Sequence, residues 1–292
     1  MILQPHKHTF RSILLVIFLM SFALFLYTNF RDREENVAFG VNCPAGIAGQ
    51  MDLCASTRIP HQGDTVQFTA NTRQGQSGIS VTIYIGGRPG SDGYITNPQI
   101  FTTGSTNSSG NFDFSYAVPS GDAWNTFHYF RAEATVGASL LKSNQVALTV
   151  VPKTTDADWI VTSSTYCKVQ TDGNCTPINN STPIQKIYND TALVQTGDVI
   201  LVEDGSYSHF EFDRGCHSQA GPMIWVMARN VNGPVFNPNP VGSSDTIAFK
   251  KKVCWTSLVG LKIMGDDRAG VHFVTSSGNG PFLNHQFLEV TI

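Results

Sequence analysis

The stretch GDVILVEDGSYSHFEF, Gly197 to Phe212, places apolar residues at alternate positions on both sides of a glycine-containing break. Val199 and Leu201 mark one short strand, Phe210 and Phe212 another, with a turn predicted at Asp204-Gly205. Just upstream, Ile184, Ile187 and Tyr188 have helical spacing, and Leu193-Val194 extend that amphipathic segment until Gly197 stops it. Downstream, strands are predicted at Met223–Ala228, Thr246–Phe249, Ser257–Ile263, Gly270–Val274 and Gln286–Ile292, with polar turns between them. Only the first link in this series has helical periodicity.

Before Trp159 the pattern differs. TVQFTA (65–70), ISVTIYI (79–85), NFDFSYAV (111–118), HYFRAEATV (128–136) and QVALTVV (145–151) each alternate, and Gly, Pro, Asn and Ser clusters separate them. Closely spaced short strands with one apolar face predict a two-sheet sandwich over residues 61–152. VPKTTDADW, 151–159, reads as the boundary to a second region covering 157–292. Residues 31–60 read as a tether.

The bulk numbers agree with an all-β chain. Of 292 residues only 14% are charged, while Gly (26) and Phe (19) are abundant, which disfavours helical bundles. Net charge is −3, and after residue 40 the longest basic tract is Lys250-Lys251-Lys252, a solvated turn; nucleic acid is excluded as a partner. At the amino terminus Lys7 and Arg11 precede the apolar run Ile13–Tyr27. Residues 1–30 read as a signal-anchor that holds the protein in a membrane through a helix, with a cleaved signal peptide as the alternative. Six cysteines, Cys43, Cys54, Cys167, Cys175, Cys216 and Cys254, follow an export signal in even number and lack zinc or redox spacing. They are disulfide candidates, with near neighbours preferred (43–54, 167–175, 216–254) among fifteen connectivities. Together these place the body of the protein outside the cytoplasm, at the cell surface or in the periplasm.

Two resemblances sharpen the picture. TNSSGNFDFSYAVP and the final pair YFRAEATVG…SNQVALTV resemble immunoglobulin-like and fibronectin-like modules of bacterial surface and secreted enzymes. Trp124, Phe127 and Tyr129 are candidates for a sugar platform there, with core or edge packing the plainer reading. From about residue 157 the chain resembles the amino-terminal part of right-handed parallel β-helix proteins of the pectin-lyase type. The motif residues are Gly197-Asp198, Ile200, Val202, Gly205 and Tyr207, then Gly221-Pro222-Met223-Ile224-Trp225-Val226-Met227-Ala228, then Gly260-Leu261-Lys262-Ile263. That resemblance implies a short capping helix, coils of about three strands each, and glycines 197 and 205 at turns where a side chain does not fit. Two to three coils are expected before Ile292, so the β-helix is read as incomplete. An open end would call for further sequence or a covering subunit.

Relatives of this fold include polysaccharide lyases, epimerases and non-catalytic glycan binders, so fold alone does not choose between them. In the lyases a Lys, Arg, Tyr or His takes a proton beside a sugar carboxylate, which calcium or a basic residue neutralises. By that resemblance calcium is the one implied cofactor and acidic polysaccharide the implied partner. Candidate binding residues are Asp266, Asp267 and Arg268, which follow a predicted strand, and His209 with Glu211, which share a face opposite Phe210 and Phe212. A polar turn and an outward polar face are the plainer readings of these groups, and no catalytic set is identified. His272 stands alone in its predicted strand. Three functions remain open: a carbohydrate-active β-helix protein, a glycan-binding adhesin or stalk without turnover, and a truncated inactive fragment.

Overall fold

A computed structural model describes residues 50–91, 94–213, 223–237, 245–250, 256–265, 269–273 and 286–292. The predicted signal-anchor, 1–30, lies outside these. Among the described residues no helix is long and apolar enough to cross a membrane.

The first part is two antiparallel sheets packed face to face. Strands β1 (Asp52–Ala55), β2 (Thr65–Asn71), β3 (Ser80–Pro89), β4 (Ile95–Ser105), β5 (Asn111–Ala117), β6 (Phe127–Val136), β7 (Ser139–Lys142) and β8 (Val146–Thr149) follow in chain order. β1-β2-β5 form one sheet and β4-β3-β6-β7 the other, with β8 also paired to β6. Burial along β2 alternates strictly at Val66, Phe68 and Ala70, as a strand with one wet face requires. Phe68 stacks on Phe114 at 4.8 Å and tilts against Phe130, also at 4.8 Å, so the two sheets share one apolar layer with Leu53, Val81, Ile83 and Leu148. β1 falls inside the stretch expected to be a tether. Leu53 is fully buried, and the Asn144 amide brackets its backbone, accepting from Leu53 N–H and donating to Leu53 C=O, both at 2.9 Å. A side chain thereby stands in for a missing neighbouring strand.

The second part opens with β9 (Trp159–Val161), β10 (Thr165–Lys168), β11 (Ile178–Asn179) and helix α1 (Pro183–Asn189). The helix is shorter than its periodicity suggested. Asp190 ends it: its carboxylate accepts from Ala192 N–H and its carbonyl from Leu193 and Val194 N–H, so that segment turns. Ile184, Ile187 and Tyr188 face inward, and the Tyr188 ring meets Phe210 and Phe212 edge-on.

Then come three rounds of three strands: β12 (Val199–Val202), β13 (Gly205–Tyr207), β14 (Phe210–Phe212); β15 (Ile224–Ala228), β16 (Pro234–Phe236), β17 (Asp245–Phe249); β18 (Thr256–Val259), β19 (Lys262–Ile263), β20 (Ala269–Phe273). A final strand, β21 (Gln286–Leu288), joins the first sheet. Each round gives one strand to each of three parallel sheets, β12-β15-β18-β21, β13-β16-β19 and β14-β17-β20, and β9 lies parallel beside β12. The opening stretch therefore holds three strands, not two. Gly205 begins β13 at φ +153, and a side chain there would meet nothing closer than a Tyr207 ring carbon at 3.8 Å. Backbone angle rather than crowding calls for glycine at this position. The predicted strand 257–263 breaks at Gly260 (φ +70), where the chain turns from the first sheet to the second.

Register places like on like. Phe212, Phe249 and Phe273 stack inside the third sheet at 4.4 and 4.7 Å with planes within 10°, and Tyr207 stacks on Phe236 in the second at 5.1 Å. Each such burial contributes about 1.5–3 kcal/mol. The first sheet is apolar on both faces: Ile200, Val226 and Leu258 point into the coils, while Val199, Trp225, Met227 and Val259 pack outward on Val151 and Ile59 of the preceding part. Gln286 donates to Asn125 Oδ1 at 2.6 Å, and Glu289 accepts from Arg58 N–H at 3.2 Å, beside this layer.

Candidate functional site

Of the three outer faces, the first is covered by Val151 and Ile59. The third, on β14-β17-β20, carries a row of ionisable groups. Inward Phe210 and Phe212 turn Glu211 outward, and in register beside it come Ala248 of β17 and His272 of β20. Lys250 Nζ reaches Glu211 Oε1 at 2.6 Å, with both side chains partly exposed. An outward pair of this kind adds no more than about 1 kcal/mol to stability. His272 Nδ1–H donates to Asp245 Oδ2 at 2.9 Å; the carboxylate is 5% exposed and the imidazole 36%. Burying a carboxylate is costly unless it is paired, and here the pairing fixes the tautomer and direction of the ring.

His209 stands just before β14, half-buried, and makes no hydrogen bond or ion pair among the described residues. Asp266, Asp267 and Arg268 lie outside the described residues, immediately ahead of β20 in the chain. The sequence reading missed Asp245 and took Lys250 for part of a solvated turn and His272 for a solitary histidine. Parallel pairing of β17 with β20 unites Asp245 and His272 across 27 residues.

An open polar depression of about 530 Å³ adjoins this face, lined by residues including Asn180, Thr182, Gln185, Asn189 and Asp190. Asn189 links the two: its amide donates to Glu211 C=O at 2.8 Å and accepts from Asp213 N–H at 2.9 Å, which closes the free edge of β14. Lys186 bonds Asp190 at 3.0 Å one helical turn on; that bond holds the Asp190 carboxyl below and the Lys186 ammonium above its ordinary value.

The described residues of this face fit calcium poorly. Glu211 and Asp245 are turned to Lys250 and His272, and among the described residues no three His, Cys, Asp or Glu side chains converge. On the sandwich, Phe127 and Tyr129 do come together, while Trp124 is exposed in the turn before β6. Cys167 and Cys175 form a disulfide closing the β10–β11 loop. Cys54 is disulfide-bonded as well, whereas Cys43, Cys216 and Cys254 lie outside the described residues.

No protein-family model and no curated protein matches the sequence. Among solved structures, a Paenibacillus sp. cycloisomaltooligosaccharide glucanotransferase complexed with cycloisomaltoheptaose aligns at 15% identity and a TM-score of 0.25. The alignment covers 53% of this chain and 20% of that one. A likeness of that size carries no argument about activity.

Proposed function

We propose that this chain is an exported or membrane-anchored protein of the pectin-lyase-like parallel β-helix class, carrying an immunoglobulin-like module, that binds acidic polysaccharide on the outer face of β14-β17-β20. The observation that carries the reading is that one face holds both Lys250, paired with Glu211, and His272, oriented by Asp245. A lysine ammonium suits a uronate carboxylate, and a directed imidazole suits sugar hydroxyls. Asn189 and the polar depression beside β14 add amide donors and acceptors of the type that bind sugar hydroxyls. The disulfide at Cys167–Cys175 supports an oxidising compartment.

A second reading, turnover, is favoured by the Asp245–His272 pair. A histidine held this way is suited to take the proton beside a uronate carboxylate; the neighbouring C–O bond then breaks and a carbon–carbon double bond forms. The test incubates the full chain with pectate, alginate, chondroitin and a neutral galactan, reading complex formation by affinity electrophoresis and unsaturated product by absorbance. Retardation by a uronate polymer, weakened in Lys250→Ala, is the expected result. Equal mobility in all four polymers overturns the reading. Absorbance growth abolished in His272→Gln establishes turnover.

A further inference from the structure

The outward face of the five-stranded sheet holds a second constellation, unconnected with the coils. On β6, Phe127, Tyr129, Arg131 and Glu133 alternate with the core residues Phe130, Ala132 and Ala134, so these four share the sheet's other side, away from the core. Phe127 and Tyr129 lie ring to ring at 6.0 Å with 13° between planes, and Phe127 is 39% exposed. Arg131 comes next in the row, its guanidinium carbon 5.5 Å from the Tyr84 ring centre and 5.1 Å from that of Tyr94. It is 8% exposed, its Nη2 donates to Glu133 Oε1 at 2.8 Å, and its Nε–H is buried with no acceptor among the described residues. On β7, opposite Glu133, Lys142 sets its Nζ 4.8 Å from the Tyr94 ring centre and stays partly exposed.

A sheet face that serves only to meet water has no use for these features. An aromatic pair in which Phe127 is exposed and Tyr129 half-buried gains nothing from facing solvent. A buried guanidinium with an unmet donor is a cost to the fold until an acceptor reaches it. Charge adds direction: Arg131 and Lys142 outnumber Glu133.

We propose that this face is a second glycan site, taking a uronate-bearing strand. Phe127 and Tyr129 lie against the C–H faces of the sugar rings, and Arg131 and Lys142 meet the carboxylates. Aromatic faces offer large, rigid contact area. The guanidinium fork matches a carboxylate with two parallel N–H donors, and two tyrosine rings already hold it in place. The inference rests on the acidic-glycan reading above but on a separate set of residues.

The experiment is calorimetric titration of the full chain with a pectate oligomer, with a neutral galactan oligomer as control. Phe127→Ala and Arg131→Lys are each expected to weaken pectate binding about tenfold at one component, while Lys250→Ala leaves that component in place. Arg131→Lys keeps the charge and loses the fork, so it separates recognition from packing; Phe127 is exposed enough for Phe127→Ala to fold, which circular dichroism checks. Binding lost in Lys250→Ala alone, with Phe127→Ala and Arg131→Lys unchanged, overturns this inference and leaves the coil site standing. Binding lost in Phe127→Ala and untouched by Lys250→Ala supports it and removes the coil site. Equal affinity for the neutral oligomer overturns the uronate assignment, and no binding of either oligomer overturns both proposals.

Discussion

The sandwich and the coils solve the same problem, burying apolar strands, in opposite ways. In β2, burial alternates because one face packs on Phe114 and Phe130 and the other is wet. In β12, β15 and β18 nearly every residue is buried, because the inner face stacks in the coils and the outer face packs on Val151 and Ile59. Uniformly apolar strands such as VILV and IWVM thus mark a sheet with something on both sides. The outer faces are where the chemistry collects: Glu211, Lys250 and His272 on the third coil sheet, with Asp245 buried behind His272, and Phe127 and Tyr129 on the five-stranded sheet, with Arg131 buried beside them.

The sharpest way to break this contrast is Trp225→Ala. Trp225 is 2% exposed between the two parts, and its loss is expected to cost about 3–5 kcal/mol in urea unfolding. If the layer binds both parts into one cooperative unit, far-ultraviolet circular dichroism and tryptophan fluorescence shift together; a shift in only one signal would part them. Cys167→Ser should cost less, about 2.5 kcal/mol, since the bridge closes a loop with a sequence separation of only 8. Its effect belongs to the β9–β10–β11 edge and should leave glycan binding unchanged.

Ser257→Ala tests the same layer from its polar side. Ser257 is fully buried beside Trp225 in register, and its Oγ has no hydrogen-bond partner among the described residues. Removing an unmatched hydroxyl is expected to be neutral or to stabilise by about 1 kcal/mol. A large loss in the melt would mean that the hydroxyl has a partner.

The smallest expected effect depends on pH. Burial and then nearby Asp198 push the Asp158 carboxyl above its ordinary value, although the hydrogen bond from Val199 N–H opposes the shift. The folded state holds this proton more tightly than the unfolded one. Its stabilising contribution is therefore complete below the unfolded-state value of about 4 and is lost as pH rises through the folded-state value. Asp158→Asn should raise the melting temperature slightly at pH 7 and not at all near pH 3, as read by calorimetry. A gain of equal size at both would contradict the assignment.

Much of this was legible in the sequence where burial is one-sided. β2, β3, β5 and β6 follow from alternation, and β12 and β15 from apolar runs next to glycine. β13 and β16 were not legible, because three-residue strands are too short to show a period and their corners look like ordinary turns. The helix end was missed because Leu193 and Val194 keep the right spacing while Asp190 turns the chain beneath them. At the candidate site, Glu211 was visible as an outward residue opposite two phenylalanines. Its neighbours were not, since parallel register joins Glu211, Ala248 and His272 across loops of unequal length. Asp245 carries no local signal at all.

The most direct test of the functional claim is hydrogen–deuterium exchange of the full chain with and without a bound pectate oligomer. Slowed exchange is predicted in peptides covering Asp245–Lys250 and Ala269–Phe273, with none in β12 and β15, whose outer face is already covered. Unchanged exchange in β17 and β20 at saturating oligomer would contradict it.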